Sequence, residues 1–168
     1  MVILGIDPGY AIVGYGVVES DTIKFRPIEF GAVTTAAKTP FTERIEKIYE
    51  NISFLIDKYH PDAMSIEKLY FNTNTTTAID VAQARGVIIL AAQKKGVPVY
   101  EYTPLQVKQS VTGYGRAEKR QVMDMVKHML SLQKAPKLDD TADALALAIC
   151  HGHFAGSSYG KLKLEGKI

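Results

Sequence analysis

Two short apolar runs, each closed by an acid, constrain this chain more than any other feature. The first is Val2-Ile-Leu-Gly-Ile-Asp7, followed at once by Pro8-Gly9, and the second is Asp62-Ala-Met-Ser-Ile-Glu67. Apolar runs of this length bounded by turn residues are buried strands. Each acid then stands at a strand end, where the chain leaves the sheet.

The segments between and after these runs complete an α/β pattern. Ile12–Glu19 is rich in small and β-branched residues, and Ile23–Thr34 places Phe25, Ile28, Phe30 and Val33 between charged ones, so three antiparallel strands are expected. Pro27 marks an edge or a bulge. Thr39-Pro40 reads as an N-cap followed by Pro at the first helical position, ahead of Phe41, Ile45, Ile48, Ile52, Leu55 and Tyr59 at helical spacing. A long apolar helix from about 75 to 95, closed by Gly96, separates the strands Asp62–Glu67 and Val97–Tyr102, which makes a βαβ crossover and a parallel pair. Short helices over Pro104–Val111 and Ala117–Leu130 follow. The second of these puts Val122, Met125, Val126, Met129 and Leu130 on one core face. A final Ala- and Leu-rich helix runs from Asp139 to Phe154.

At 168 residues the chain fits one domain with a sizeable core, expected over residues 1–155, with a basic, flexible tail over 156–168. The N-terminal apolar run is too short for a signal peptide or a membrane span, so a cytoplasmic protein with no membrane partner is expected. The single Cys150 lies in an apolar stretch and reads as a buried small hydrophobe. Net charge is only +2, yet from Lys94 to Lys127 basic residues outnumber acids seven to three. A local excess of this kind is either solvated surface or a footprint for a polyanion.

If the first and fourth strands are neighbours, Asp7 and Glu67 meet at the edge where open α/β sheets bind ligands. Asp140 and Asp143, spaced i, i+3, leave one face of the last helix near its first turn. Acids at a helix start also complement the macrodipole, which is the plainer reading of that pair. Carboxylates gathered at a partly desolvated site repel one another unless a cation joins them. Oxygen-only donors favour Mg²⁺, with Mn²⁺ as a substitute, whereas His151 and His153 at i, i+2 leave different helical faces and offer no zinc site. Two such cations, about 4 Å apart, hydrolyse phosphodiesters without a covalent intermediate. No Gly-rich nucleotide loop is present.

Leu4-Gly-Ile-Asp-Pro-Gly9 with Gly14-Tyr-Gly16, Ile66-Glu67, Ala82-Gln-Ala-Arg-Gly86, Gln106-Val-Lys-Gln109, Ala117-Glu-Lys119 and Asp140-Thr-Ala-Asp-Ala-Leu-Ala146 occur in this order. Together they resemble the bacterial RuvC family of Holliday junction resolvases, within the RNase H-like superfamily. The resemblance implies an α/β, RNase H-like fold: a five-stranded mixed sheet, three antiparallel strands then parallel ones, flanked by helices. It implies a homodimer that nicks two opposed strands of four-way junction DNA, acting in recombination and DNA repair. By the same resemblance, Asp7, Glu67, Asp140 and Asp143 are the catalytic and metal-binding acids, Asp139 being an alternative to Asp140. Tyr70 or Phe71 stacks on unpaired bases, and Lys108 and Lys119 face the DNA backbone. Arg85 falls in a shared segment, as a DNA contact or as a structural ion pair. Val87–Ala92 resembles the dimer-contact helix. A RuvA-type junction-binding protein and a RuvB-type branch-migration ATPase are the implied partners.

Three other readings bear on the same residues. Gly5-Ile-Asp-Pro-Gly9 is reminiscent of the phosphate hairpin of actin-like ATPases, but those need two such domains and a cleft. A non-catalytic module for branched DNA would tolerate loss of the acids. Another RNase H-like nuclease would act on RNA–DNA hybrids or transposon ends.

Overall fold

The computed structural model describes residues 1–69, 77–164 and 166. Its strands are β1 (Val2–Asp7), β2 (Ile12–Ser20), β3 (Phe25–Thr34), β4 (Ala63–Glu67) and β5 (Val99–Tyr102). Its helices are α1 (Phe41–Tyr59), α2 (Ala78–Lys94), α3 (Pro104–Thr112), α4 (Lys119–Met129), α5 (Asp139–Gly156) and α6 (Ser158–Leu164). The strands form one sheet in the order β3-β2-β1-β4-β5. β1 pairs antiparallel with β2 and parallel with β4, so the first and fourth strands are neighbours: Ile6 opposes Ile66, and Asp7 and Glu67 follow at the same sheet edge.

Side chains alternate across the sheet, and the alternation sorts two cores. Leu4, Ile6, Met64 and Ile66 face α1 and α2, where they pack with Ile48, Ile52, Ile88 and Ala92. Ile3 faces the other way, into the core built with α3, α4 and α5. Ser65 also points to that side, its Oγ donating to the Leu147 carbonyl at 2.7 Å. Asp7, two residues beyond Gly5, and Glu67, two beyond Ser65, share this parity and turn toward α5.

Helix α5 lies unusually close to β1 and β2. A Cβ on Gly5 would stand 2.0 Å from the Ala144 carbonyl oxygen, and one on Gly14 would stand 2.0 Å from that of Asp140. Only hydrogen at these two positions lets the helix backbone rest on the strands. Apolar from Ala144 to Cys150, α5 is buried over the sheet, so its acidic first turn is delivered to the edge that carries Asp7.

Local chemistry moved several boundaries. Asp21 Oδ1 accepts from the backbone N–H groups of Ile23 and Lys24, and this turn delays β3 to Phe25, leaving Ile23 exposed. At the start of α1 the cap is Pro40, with an extended backbone, while Thr39 donates its N–H to Ala36 in the preceding turn; the expected Thr39 cap does not form. Met125 is exposed at 37%, so the core face of α4 is Val122, Val126 and the partly buried Met129, without Met125. Pro27 lies on the edge strand, beside a register shift opposite Val17 and Val18. Residues Ser158–Leu164, part of the segment read as a tail, form α6.

Candidate active site

The four acids reach the site by two routes. Asp7 and Glu67 end adjacent parallel strands, while Asp140 and Asp143 come from the first turns of α5. Their charges act on one another. Asp7 is pushed up to about 8, first by burial and then by Glu67, Asp143 and Asp140, with Lys119 opposing. Glu67 is raised by burial and then by Asp143, again against Lys119. Asp143 is raised by burial, which outweighs the opposing charge and hydrogen bond of Lys119.

Lys119, at the start of α4, is the cation of this cluster. Its Nζ lies 3.2 Å from Asp143 Oδ2 and 3.2 Å from Asp139 Oδ2. Burial works against its charge, but Asp143 and Asp139 raise its pKa above the ordinary lysine value. Asp139 is exposed and its charge registers on Asp143 and Lys119, whereas Asp140 is half-buried against Gly14 and registers on Asp7 as well as Asp143. Asp139 thus meets the cluster through Lys119, and Asp140 through Asp7 and Asp143.

A cleft of about 200 Å³ opens beside the acids, lined by Glu67, Asp143, Lys108, Lys119, Pro104 and Val107 among others. Lys108 comes from α3, which the Thr103 capping box fixes: Thr103 Oγ1 accepts from the Gln106 N–H, and Gln106 Oε1 accepts from the Thr103 N–H. Both lysines thus border the same space as two of the acids. The anticipated aromatics, Tyr70 and Phe71, lie outside the described residues.

Arg85 is engaged within the fold. Its Nε donates to the Glu67 carbonyl at 3.2 Å and its guanidinium pairs with Glu101 on β5, which is the ion-pair alternative for this residue. One side chain on α2 thereby ties down the strand end that carries Glu67. His151 is buried on α5, its Nδ1 2.7 Å from the Tyr102 hydroxyl, and burial pulls it down to about 4, so it is a neutral core group. Cys150 is buried as expected, and burial pushes its thiol up to about 11. Neither is placed for nucleophilic work.

The donor set is all oxygen, which fits a hard divalent cation. Among the described residues no three His, Cys, Asp or Glu side chains stand close enough to hold a metal as they are. The Lys119 ammonium offsets part of the charge of Asp139 and Asp143, and the repulsion left among Asp7, Glu67 and Asp143 is what a hard cation would relieve.

Comparison with known proteins decides the family. The model of the family described as crossover junction endodeoxyribonuclease RuvC matches residues 3–151. The chain belongs to the RuvC family. RuvC of Alkaliphilus metalliredigens is 57% identical over 153 residues, covering 91% of this chain and 93% of that one. The Thermus thermophilus RuvC structure superposes with a TM-score of 0.86 at 37% identity, over 92% of this chain and 95% of that one. The same organism's RuvC in complex with Holliday junction substrate gives a TM-score of 0.87 at 34% identity, over 95% of this chain and 98% of that one. The five-stranded mixed sheet is accordingly the RNase H-like fold. Among the described residues no helix is long and apolar enough to cross a membrane.

Proposed function

We infer that this chain is an endodeoxyribonuclease that resolves Holliday junctions, nicking two opposed strands by metal-assisted phosphodiester hydrolysis. The observation that carries the reading is the convergence of Asp7, Glu67, Asp140 and Asp143 on one sheet edge, beside a cleft bordered by Lys108 and Lys119, in a chain of the RuvC family. A non-catalytic DNA module has no use for carboxylates that repel both one another and the phosphates they would touch.

The residues divide the work. Asp7, Glu67, Asp140 and Asp143 are the set that would hold Mg²⁺, two ions per site, with Mn²⁺ as a substitute. When bound, such cations activate water and stabilise the leaving 3′ oxygen. Lys108 and Lys119 bind the flanking phosphates, and the incoming phosphate releases Lys119 from Asp139 and Asp143. Arg85 acts by fixing Glu67 rather than by touching DNA. Tyr70 or Phe71 stacks on bases unpaired at the crossover, since stacking tolerates any base.

Paired cutting calls for a symmetric dimer, which supplies two equivalent sites at a fixed separation. Helix α2 supports one: it is apolar around most of its circumference, yet exposes Ile79 at 69% and Leu90 at 51%, and α1 adds Phe54 at 60%. A surface helix of that composition normally has a second face to bury. A RuvA-type junction binder, a RuvB-type ATPase and a cytoplasmic setting complete the reading by family analogy.

Cleavage of a four-way junction, a linear duplex and an RNA–DNA hybrid, each in Mg²⁺ and in EDTA, tests it. Selective cutting of the junction in Mg²⁺ is the expected outcome. Equal cutting of linear duplex sinks the resolvase reading, and cutting of the hybrid alone favours a different nuclease of the same fold.

A further inference from the structure

Among the described residues, Arg44 is the only Lys, Arg, Asp or Glu with a buried side chain, 8% exposed. Its surroundings are neutral. Nε donates to Thr35 Oγ1 at 2.8 Å, and the guanidinium lies over the Tyr10 ring, 4.3 Å from its centroid. Among the described residues no carboxylate pairs with it and its Nη groups have no protein acceptor. Neither Nη is among the fully buried atoms that lack a partner, so the tip of the fork meets solvent while the rest of the side chain is held inside, and a cation so placed is open to an anion from outside.

The seat is tied to the catalytic edge. Tyr10 lies in the turn directly after Asp7, and Thr35 follows β3. Thr35 Oγ1 donates to the Tyr10 carbonyl at 2.6 Å, and the Thr35 N–H donates to Ala11 at 2.9 Å. Arg44 itself stands in the first turn of α1, so it shares the sheet edge of Asp7 and Glu67 but lies on the α1 side. Lys108 and Lys119 border the acids from the α5 side. Cations therefore stand at this edge on both faces of the sheet, Lys108 and Lys119 on one and Arg44 on the other.

We propose that Arg44, stacked on Tyr10, is a DNA phosphate-binding site across the catalytic edge from Lys108 and Lys119. This rests on the nuclease reading and adds the path of the strand: it crosses the edge from the α3 and α4 side to the α1 side. A guanidinium fork binds phosphate oxygens in pairs, and an aromatic platform fixes its plane before the ligand arrives, which lowers the ordering cost of binding. A residue that merely pinned the loop would not need a charged group.

The test uses the whole protein in EDTA, so that binding is read without cutting. Junction affinity is measured against salt for wild type, Arg44→Gln and Arg44→Lys, with thermal melts to verify folding. Arg44→Gln is expected to bind roughly tenfold more weakly and to lose about 0.9 from the log–log salt slope, the signature of one phosphate contact. Arg44→Lys keeps the slope and binds a few-fold more weakly than wild type, roughly the loss expected when a fork becomes a point charge. A scan of single methylphosphonates in the junction then finds phosphates whose neutralisation weakens wild type roughly tenfold and Arg44→Gln hardly at all. Equal slopes and equal scans for the two proteins overturn the proposal and leave Arg44 a loop pin. If Arg44→Gln does not fold, the scan on Arg44→Lys decides: the same phosphates are expected to cost only a few-fold when neutralised, and penalties equal to wild type at every phosphate overturn the proposal. Inorganic phosphate that protects wild type, but not the variants, from thermal unfolding while the scan is blank overturns it in favour of a free-anion site. Wild-type binding of linear duplex as tight as of the junction defeats the junction reading instead, and the scan on duplex still tests Arg44.

Discussion

The Nζ of Lys119 stands 3.2 Å from Oδ2 of Asp143, within a group of carboxylates that burial and repulsion push toward their protonated forms. This makes stability depend on pH in a definite direction. Asp7 is raised from an ordinary 3.8 to about 8, so between those values the folded protein holds a proton that the unfolded chain has released. Stability then falls as pH rises through the window. His151, pulled down to about 4, acts oppositely, but only below its ordinary 6.5. Melting temperature in EDTA is therefore expected to drop from pH 6.5 to pH 8. Mg²⁺ shrinks the drop, because the cation replaces the proton. Asp7→Asn flattens the EDTA profile, and a profile that this variant leaves unchanged places the proton elsewhere.

Gly14 carries no side chain because the Asp140 carbonyl is already where a Cβ would go. Gly14→Ala is expected to push the first turn of α5 off β2, costing about 1–3 kcal/mol of stability. Displacement of Asp140 and Asp143 should lower the cleavage rate by roughly a hundredfold while junction affinity changes little. Denaturant melts and single-turnover cleavage measure the two effects. Full activity in a destabilised variant would show that the close approach serves packing alone.

Much of this arrangement was legible in the sequence. The two strand-ending acids, the crossover helix and the acidic start of α5 follow from apolar runs, turn residues and spacing, whereas the adjacency of Asp7 and Glu67 stood as a condition that the β1–β4 pairing meets. What escaped has a common cause: it depends on which atoms meet across the sheet. Gly5 and Gly14 stood in the sequence only as members of shared segments, and the packed helix shows them as its seat. Lys119 read as a DNA contact, and its pairing with Asp139 and Asp143 required α4 and α5 side by side. Arg44 drew no reading from the sequence, since its spacing says nothing of Tyr10 or Thr35. The boundary errors at Ile23 and Thr39 arose where a local hydrogen bond, from the Ile23 N–H to Asp21 and from the Thr39 N–H to Ala36, overrode the hydrophobic pattern.

The exposed apolar face of α2 makes a separate prediction about assembly. Leu90→Glu places a charge where Leu90 is half exposed, so the monomer fold tolerates it. In a dimer the same charge is buried and unpaired, which costs several kcal/mol, on the order of 3–5. Light scattering is expected to show a monomer for the variant and a dimer for wild type. On a junction in a supercoiled plasmid, the variant nicks one strand without the paired second cut. A variant that remains dimeric moves the interface off α2.

Asp7 is central as a member of a cation-holding set rather than a DNA-recognition set. Asp7→Asn keeps nearly the same shape and removes one charge, so junction binding in EDTA should be as tight as wild type or tighter, as repulsion toward phosphates falls. Cleavage of the same junction in Mg²⁺, followed in single-turnover conditions, should fall below detection. A variant that still cuts the junction at the wild-type rate would contradict the central claim.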